Sequence, residues 1–108
     1  MGQPPKYSIA IRNGTTQPID KVDVSFGKFS SGGGYLRPGI STTYELVPYP
    51  IPEKATVSWQ SQDGRSHEKA VEVLDRLPKN FSAGDIIFTI LGGDEVTVTN
   101  KPFLKLPK

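Results

Sequence analysis

Proline and glycine recur at short intervals along this 108-residue chain, which contains ten prolines and eleven glycines. Because proline lacks a backbone donor and glycine favours turns, few uninterrupted stretches are long enough for a helix. Eight valines, eight isoleucines and eight threonines occupy the segments between these interruptions. Their branched Cβ atoms suit strands, whereas the helix-favouring leucine, alanine and methionine number seven, four and one. The sequence therefore predicts an all-β protein.

Alternation of apolar and polar residues marks the individual strands. It occurs in residues 7–12, 22–26, 42–47, 55–60, 66–74 and 96–98, and a nearly all-apolar run covers residues 86–91. That run should be the most buried strand. We expect the first two segments to form a hairpin, and a second hairpin to turn at Asp63-Gly64. Seven or eight short strands at this spacing predict a β-sandwich or a small barrel. The proline-rich residues 48–52, which suit a crossing between two sheets, favour an antiparallel β-sandwich.

The length predicts one domain, which we place at residues 6–100. Residues 1–5 are expected to be a disordered start, either an ordinary one or a remnant where a leader was removed. Residues 101–108 alternate basic and apolar side chains and are expected to form an edge strand or a tail. No apolar run approaches the roughly 18 residues of a membrane span.

Several kinds of chemistry lack the residues they need. The absence of cysteine excludes disulfides, thiolate metal sites and a cysteine nucleophile. His67 is the only histidine, and catalysis would require it to activate Ser58, Ser61 or Ser66 with an orienting aspartate. Without a G-x-S-x-G motif, an exposed strand residue is the simpler interpretation of His67.

The carboxylates do not favour a catalytic or metal site either. Glu68 and Glu72 are four residues apart on one strand, about 13 Å, which is too far for a glycosidase pair. Asp85 with residues 94–95 does not resemble a calcium-binding loop. The sequence therefore predicts no catalytic residues, no metal and no cofactor.

The most unusual stretch is Ser-Ser-Gly-Gly-Gly-Tyr at residues 30–35. A phosphate-binding glycine loop needs a following helix, which Pro38 and Gly39 prevent. A flexible hairpin loop, a bulged edge strand and a partner contact remain as alternatives. In the partner contact, Phe29, Tyr35 and Arg37 would supply residue types enriched at interfaces.

Tyr49 and Trp59 are two further aromatic residues whose surroundings in the sequence indicate a role. Tyr49 lies between two prolines, so it is either a second preorganised partner contact or packed beneath its own crossover. Trp59 shares a strand face with Val57 and Ala55 and is expected in the core.

The charge distribution favours no nucleic acid. The net charge is only +2, although residues 6–41 hold five basic and two acidic side chains that could steer an acidic partner. Two glycosylation sequons, beginning at Asn13 and Asn80, fall in predicted loops, where modification would be tolerated.

The run Ala-Thr-Val-Ser-Trp-Gln-Ser-Gln-Asp-Gly at residues 55–64 resembles a strand and turn of immunoglobulin-like and fibronectin type III-like domains, in which a tryptophan occupies a core strand. The resemblance implies an immunoglobulin-like sandwich. The whole chain also resembles small cysteine-free β-sandwich domains of bacterial exported proteins and lipoproteins. Some of those inhibit a partner enzyme, as toxin-immunity proteins do. This second resemblance implies a periplasmic or extracellular location.

Three functions follow as hypotheses. The first is a non-enzymatic module that binds a partner protein through residues 29–37 and 48–52 or through an open sheet edge, which could also form a dimer. The alternative is a carbohydrate-binding or adhesive module of a secreted system. An enzyme is the least supported, since it needs an acid–base cluster around His67.

Overall fold

The computed structural model describes residues 6–42, 44–79, 81 and 83–101. Within those residues eight strands occur in the order β1 (Lys6–Asn13), β2 (Ile19–Phe26), β3 (Phe29–Leu36), β4 (Glu45–Leu46), β5 (Lys54–Gln60), β6 (Ser66–Glu72), β7 (Ala83–Leu91) and β8 (Glu95–Lys101). One short 3-10 helix, Leu74–Arg76, follows β6. No helix in this part of the chain has the length and apolar character that crossing a membrane requires.

The strands form two packed four-stranded sheets, which confirms the all-β class and the sandwich architecture. The first sheet has the order β4-β1-β7-β8 and the second β3-β2-β5-β6. All neighbours are antiparallel except β1 and β7, which run parallel. In each sheet the two central strands carry most of the buried apolar side chains, as expected when two sheets pack face to face.

The apolar run and the alternating segments of the sequence place the core correctly. Ile86, Phe88 and Ile90 of β7 are fully buried, and Val57 and Trp59 of β5 lie in the same core cluster. The apolar run is not the only deeply buried strand, however, because residues 7–11 of β1 are all buried as well.

The predicted hairpin between the first two strands is wrong, because β1 and β2 belong to different sheets. The buried Asn13 side chain redirects the chain at the end of β1. Its Nδ2 donates to the carbonyl oxygens of Gln17 and Leu36 at 2.9 and 3.0 Å, and its Oδ1 accepts from the backbone N–H of Thr15 at 2.9 Å. This local hydrogen bonding turns the chain toward the second sheet, where β2 pairs with β3 through the short turn at Gly27 and Lys28.

The same geometry corrects the expectation for the first sequon. Asn13 is fully buried, and the amide nitrogen that glycosylation would modify makes both hydrogen bonds just described. The folded chain therefore cannot accept a glycan there. The sequon at Asn80 lies outside the described residues.

The other connections agree with the predictions. The chain passes from β4 in the first sheet to β5 in the second through the proline-rich residues 48–52. The hairpin of β5 and β6 turns at Asp63-Gly64, with φ of 84° at Gly64.

The strand predicted over residues 42–47 is shorter than expected, being reduced to β4 and an isolated bridge between Arg12 and Ser41. Lys101 still pairs with Asp85, whereas residues 1–5 and 102–108 lie outside the described part.

Candidate functional site

The glycine-rich stretch is a bulged edge strand, one of the three alternatives that the sequence left open. Val22 pairs with Gly34 and Asp23 with Gly32, so Gly33 is the extra residue of the bulge. A Cβ on Gly32 would lie 2.5 Å from the Val22 carbonyl oxygen, and one on Gly33 would lie 2.1 Å from Thr42 Cγ2. The glycines therefore let β3 approach both β2 and the chain segment that leads into β4.

An open groove of about 540 Å³ separates β3 from that segment. We call it the tyrosine groove and define it by Tyr35, Ile40, Tyr44 and Glu45, which line it together with the hydroxyl-bearing residues Ser31, Ser41 and Thr42. Tyr35 is 58% exposed and Tyr44 45% exposed. Ser31 donates a hydrogen bond to Glu45 and so joins the two walls. The groove thus presents apolar rings to solvent at one open edge of the sandwich.

The structure separates the four predicted contact residues. Phe29 is only 9% exposed and belongs to the core cluster, so it is removed from the candidate contact surface. The Tyr49 ring meets the Phe29 ring edge-on with centroids 6.2 Å apart, and covers it while staying partly exposed. Tyr35 and Arg37 are exposed as expected, and Tyr35 lies in the tyrosine groove.

Ile40 and Tyr44 were not singled out from the sequence. Tyr44 alternates with Leu46, and this pattern predicts the apolar face of a half-buried strand. Leu46 pairs with Ser8, whereas Glu45 pairs with the core residue Ile9, so the Leu46 face of β4 points away from the core. The alternation was therefore visible in the sequence, but the pairing register with β1 decides which face of β4 meets the core.

At the opposite edge, four polar side chains join the turns of the two sheets. His67 Nδ1 lies 2.6 Å from Asp94 Oδ1, and His67 Nε2 lies 2.9 Å from Ser61 Oγ. Ser61 also donates a hydrogen bond to Asp63. We call Ser61, Asp63, His67 and Asp94 the clasp. His67 belongs to β6 of the second sheet and Asp94 to the turn between β7 and β8 of the first.

The clasp has the spacing of a Ser-His-Asp triad, but the Ser61 hydroxyl donates to a different acceptor. A catalytic serine donates its proton to an unprotonated histidine nitrogen. Here the Ser61 hydroxyl donates to Asp63, and this hydrogen bond, with that from the Arg65 backbone, lowers the pKa of Asp63. With that proton engaged, Ser61 Oγ is placed to accept from Nε2, while Nδ1 faces the carboxylate of Asp94. His67 also stacks on Trp59 with centroids 5.2 Å apart. The arrangement suits a structural ion pair better than an activated nucleophile.

Next to the clasp, a second groove of about 440 Å³ runs between β6 and β8. Val71, Val96 and Val98 contribute its apolar side chains. Lys54, Lys69, Glu72 and Arg76 supply the charges around it, three of them positive. We call this the cationic groove. In the residues described, no group of three or more histidine or acidic side chains comes together as a metal site.

No protein-family model and no curated protein matches the chain. Among solved structures, the chain is similar to an NMR structure of a protein from Eubacterium rectale, with a TM-score of 0.60 and 13% sequence identity. The alignment covers 91% of this chain and 90% of the other. At this identity the likeness shows a shared sandwich fold.

Proposed function

We propose that this protein is a non-enzymatic binding module whose tyrosine groove receives a partner protein. The observation that carries the proposal is the joint exposure of Tyr35, Ile40 and Tyr44 around one groove. Clustered exposed apolar side chains are typical of interaction sites, and tyrosine is enriched among residues that dominate binding energy. Arg37, exposed two residues after Tyr35, adds a charged hydrogen-bond donor of the kind common at such sites.

The wall of the groove is held in place before any partner binds. Thr42 N–H donates to the Ile11 carbonyl oxygen at 2.8 Å, and Ile11 N–H donates to Thr42 Oγ1 at 3.0 Å. The opposite wall is anchored by the bond from Asn13 to the Leu36 carbonyl. Because these contacts fix the backbone, binding would order few additional groups, which favours affinity.

The proposal is tested by comparing capture of interacting proteins by three immobilised forms of the chain. The double variant Tyr35→Ala/Tyr44→Ala should lose a protein that the wild type enriches, with the melting temperature nearly unchanged. Leu74→Ala removes an equally exposed apolar side chain outside the groove and should retain that protein. Equal capture by all three forms would exclude the tyrosine groove as the binding site.

A carbohydrate ligand is the second candidate for the same groove. Two tyrosine rings lie beside the hydroxyls of Ser41 and Thr42 and the carboxylate of Glu45, a mixture that can stack on a sugar ring and bond its hydroxyls. A glycan array separates the two functions. Selective glycan binding that disappears in Tyr35→Ala/Tyr44→Ala would favour the carbohydrate-binding module, and an empty array would remove it.

The non-enzymatic part of the proposal rests on the hydrogen bond from the Ser61 hydroxyl to Asp63 instead of to His67. We expect a fluorophosphonate probe, which reacts with activated serines, to leave Ser61 unmodified. Intact-mass spectrometry of the wild type and of Ser61→Ala provides the measurement. A covalent adduct on the wild type that is absent from Ser61→Ala would contradict the proposal and establish a hydrolase-like nucleophile.

We also propose the immunoglobulin-like relationship, the inhibitor role and the location that the sequence resemblances imply. Trp59 in the core of β5 supports an immunoglobulin-like relationship. An inhibitor or toxin-immunity role is one version of partner binding, and it goes with a periplasmic or extracellular location. Fractionation of the source cells tests that location, and recovery in the cytoplasm would contradict it.

A further inference from the structure

The cationic groove lies at the edge of the sandwich opposite the tyrosine groove. It is bordered by two edge strands, since β6 pairs only with β5 and β8 only with β7 within the described residues. Each strand therefore leaves one row of backbone N–H and C=O groups unpaired with another strand, and such rows can accept an added strand.

The apolar side chains at this edge are incompletely covered. Val96 and Val98 of β8 are only partly buried against the core, whereas Ile86, Phe88 and Ile90 of the neighbouring β7 are fully buried. An extended segment placed between β6 and β8 would cover both valines. The interaction would add hydrophobic burial to any backbone hydrogen bonds.

The charges around the groove select the kind of segment that fits. Lys69 pairs in register with the fully buried Val57. Its side chain therefore leaves β6 on the face that is turned toward the core. Arg76 lies on the short helix that follows β6. In the described part of the chain, the ion pairs join Arg65 to Asp63 and His67 to Asp94, so Lys69 and Arg76 are not neutralised there.

The same charges disfavour a second copy of this chain. Pairing two β6 edges would bring one Lys69 toward the other copy's cationic groove, and like charges across a sheet edge are destabilising. The clasp fixes the spacing of β6 and β8 at the end next to Lys69, through the pair His67–Asp94. The groove is thus held open and apolar at its base, and three cations outnumber the carboxylate of Glu72 around it.

We propose that the cationic groove binds an extended acidic segment of a partner protein, with carboxylates on Lys69 and Arg76 and small apolar side chains on Val71, Val96 and Val98. This site is separate from the tyrosine groove and does not depend on the function proposed for it. Its specificity comes from admitting acidic strands while rejecting basic ones and its own copies.

The test uses two fluorescent peptides of about eight residues. Both alternate valine with charged residues, one with aspartate and glutamate and the other with lysine, and fluorescence anisotropy measures their binding. The wild type should bind only the acidic peptide, with affinity that falls as salt is added. Amide chemical-shift changes should be confined to β6, β8 and their flanks.

Charge reversal supplies the decisive comparison. Lys69→Glu/Arg76→Glu should weaken the acidic peptide at least about tenfold and gain binding of the basic peptide. The matched control Arg12→Glu/Lys28→Glu makes the same change in net charge away from the groove and should behave as the wild type. If the reversed variant fails to fold, Lys69→Gln/Arg76→Gln should still lose the acidic peptide without gaining the basic one.

Four outcomes would overturn the proposal. They are no binding of the acidic peptide, equal binding of both peptides, equal loss in the control variant, and shift changes at the tyrosine groove alone. A wild type that is dimeric through β6 or β8 would also contradict it. Loss of the tyrosine groove in Tyr35→Ala/Tyr44→Ala should leave peptide binding intact, which keeps the two proposals distinguishable.

Discussion

Among single residues, Tyr7 is the one whose burial has the clearest consequence for stability. Its side chain is 1% exposed, and its hydroxyl donates to the Pro50 carbonyl oxygen at 3.2 Å, joining β1 to the crossover. Burial raises the pKa of Tyr7 from 10.0 to about 12. The unfolded chain therefore ionises this tyrosine first, so its contribution is intact below pH 10 and is lost as the pH rises toward 12.

We predict that Tyr7→Phe removes this alkaline loss. At neutral pH the variant should be less stable by about 1 kcal/mol, because it lacks the hydrogen bond to Pro50. At about pH 11 the wild type should have lost roughly 1.4 kcal/mol through Tyr7, which would close the gap. Urea unfolding of both proteins at about pH 8 and about pH 11 measures it. A gap of constant size would show that Tyr7 ionises freely in the folded protein.

The ion pair between Asp94 and His67 can be tested by removing the charge of Asp94. Its φ is 61°, a left-handed conformation that asparagine also tolerates, so Asp94→Asn removes the charge with little backbone strain. Because Asp94 is 66% exposed, we expect its ion pair with His67 to contribute only about 0.5–1 kcal/mol. A double-mutant cycle with His67→Gln measures the coupling. The coupling should become smaller as salt is added, because the pair is largely exposed and dissolved ions screen it. Coupling that does not change with salt would exclude the ionic interpretation.

At the scale of the element, β3 depends on the absence of a side chain at its bulge. Gly33→Ala would place a Cβ 2.1 Å from Thr42 Cγ2, and Thr42 cannot move freely because its hydroxyl bonds the Ile11 backbone. We predict a destabilisation of roughly 1–3 kcal/mol, measured by thermal or urea unfolding. Gly92→Ala, which meets nothing within 4 Å, is the matched control and should be nearly neutral. Adding Thr42→Ser removes the clashing methyl group and should restore part of the loss. Equal effects at Gly33 and Gly92 would contradict this account.

The strands differ in how much of their arrangement could be predicted from the sequence. Alternation places Val57 and Trp59 in the core, and the apolar run places Phe88 there, without any knowledge of pairing. Pairing is harder, because the chain leaves β1 for the second sheet at Asn13, whose buried hydrogen bonds the sequence does not reveal. Strand faces are thus local properties, whereas neighbours are set by loop geometry.

The candidate sites follow the same division. Tyr35 is exposed, as its position on a bulged edge strand predicts. Phe29 is also an aromatic residue of β3, but its packing against Phe26 and Tyr49 buries it. The pair His67–Asp94 joins residues far apart in sequence and on different sheets. No local sequence pattern predicts such a contact, since it forms only when the two hairpins pack against each other.

At the scale of the whole molecule, the sandwich has two open edges that are protected in different ways. Ser31 and Glu45 bridge the first edge, where apolar rings are exposed. The second edge is joined at one end by the clasp and carries Lys69 on its inner side. An inward-facing charge on an edge strand discourages pairing with other chains, because pairing would bury it. The two edges therefore differ in the partners they admit.

We predict that Lys69 keeps the protein from associating through its second edge. Lys69→Val replaces the inward charge with a strand-favouring apolar residue and extends the apolar surface of Val71, Val96 and Val98. We expect this variant to form dimers or larger species as concentration rises, whereas the wild type stays monomeric. Lys28→Val, in the turn between β2 and β3, adds the same side chain away from the edge and is the control. Light scattering coupled to size-exclusion chromatography measures the mass of each form. Association of both variants would point to general hydrophobicity, and association of neither would show that Lys69 does not protect the edge.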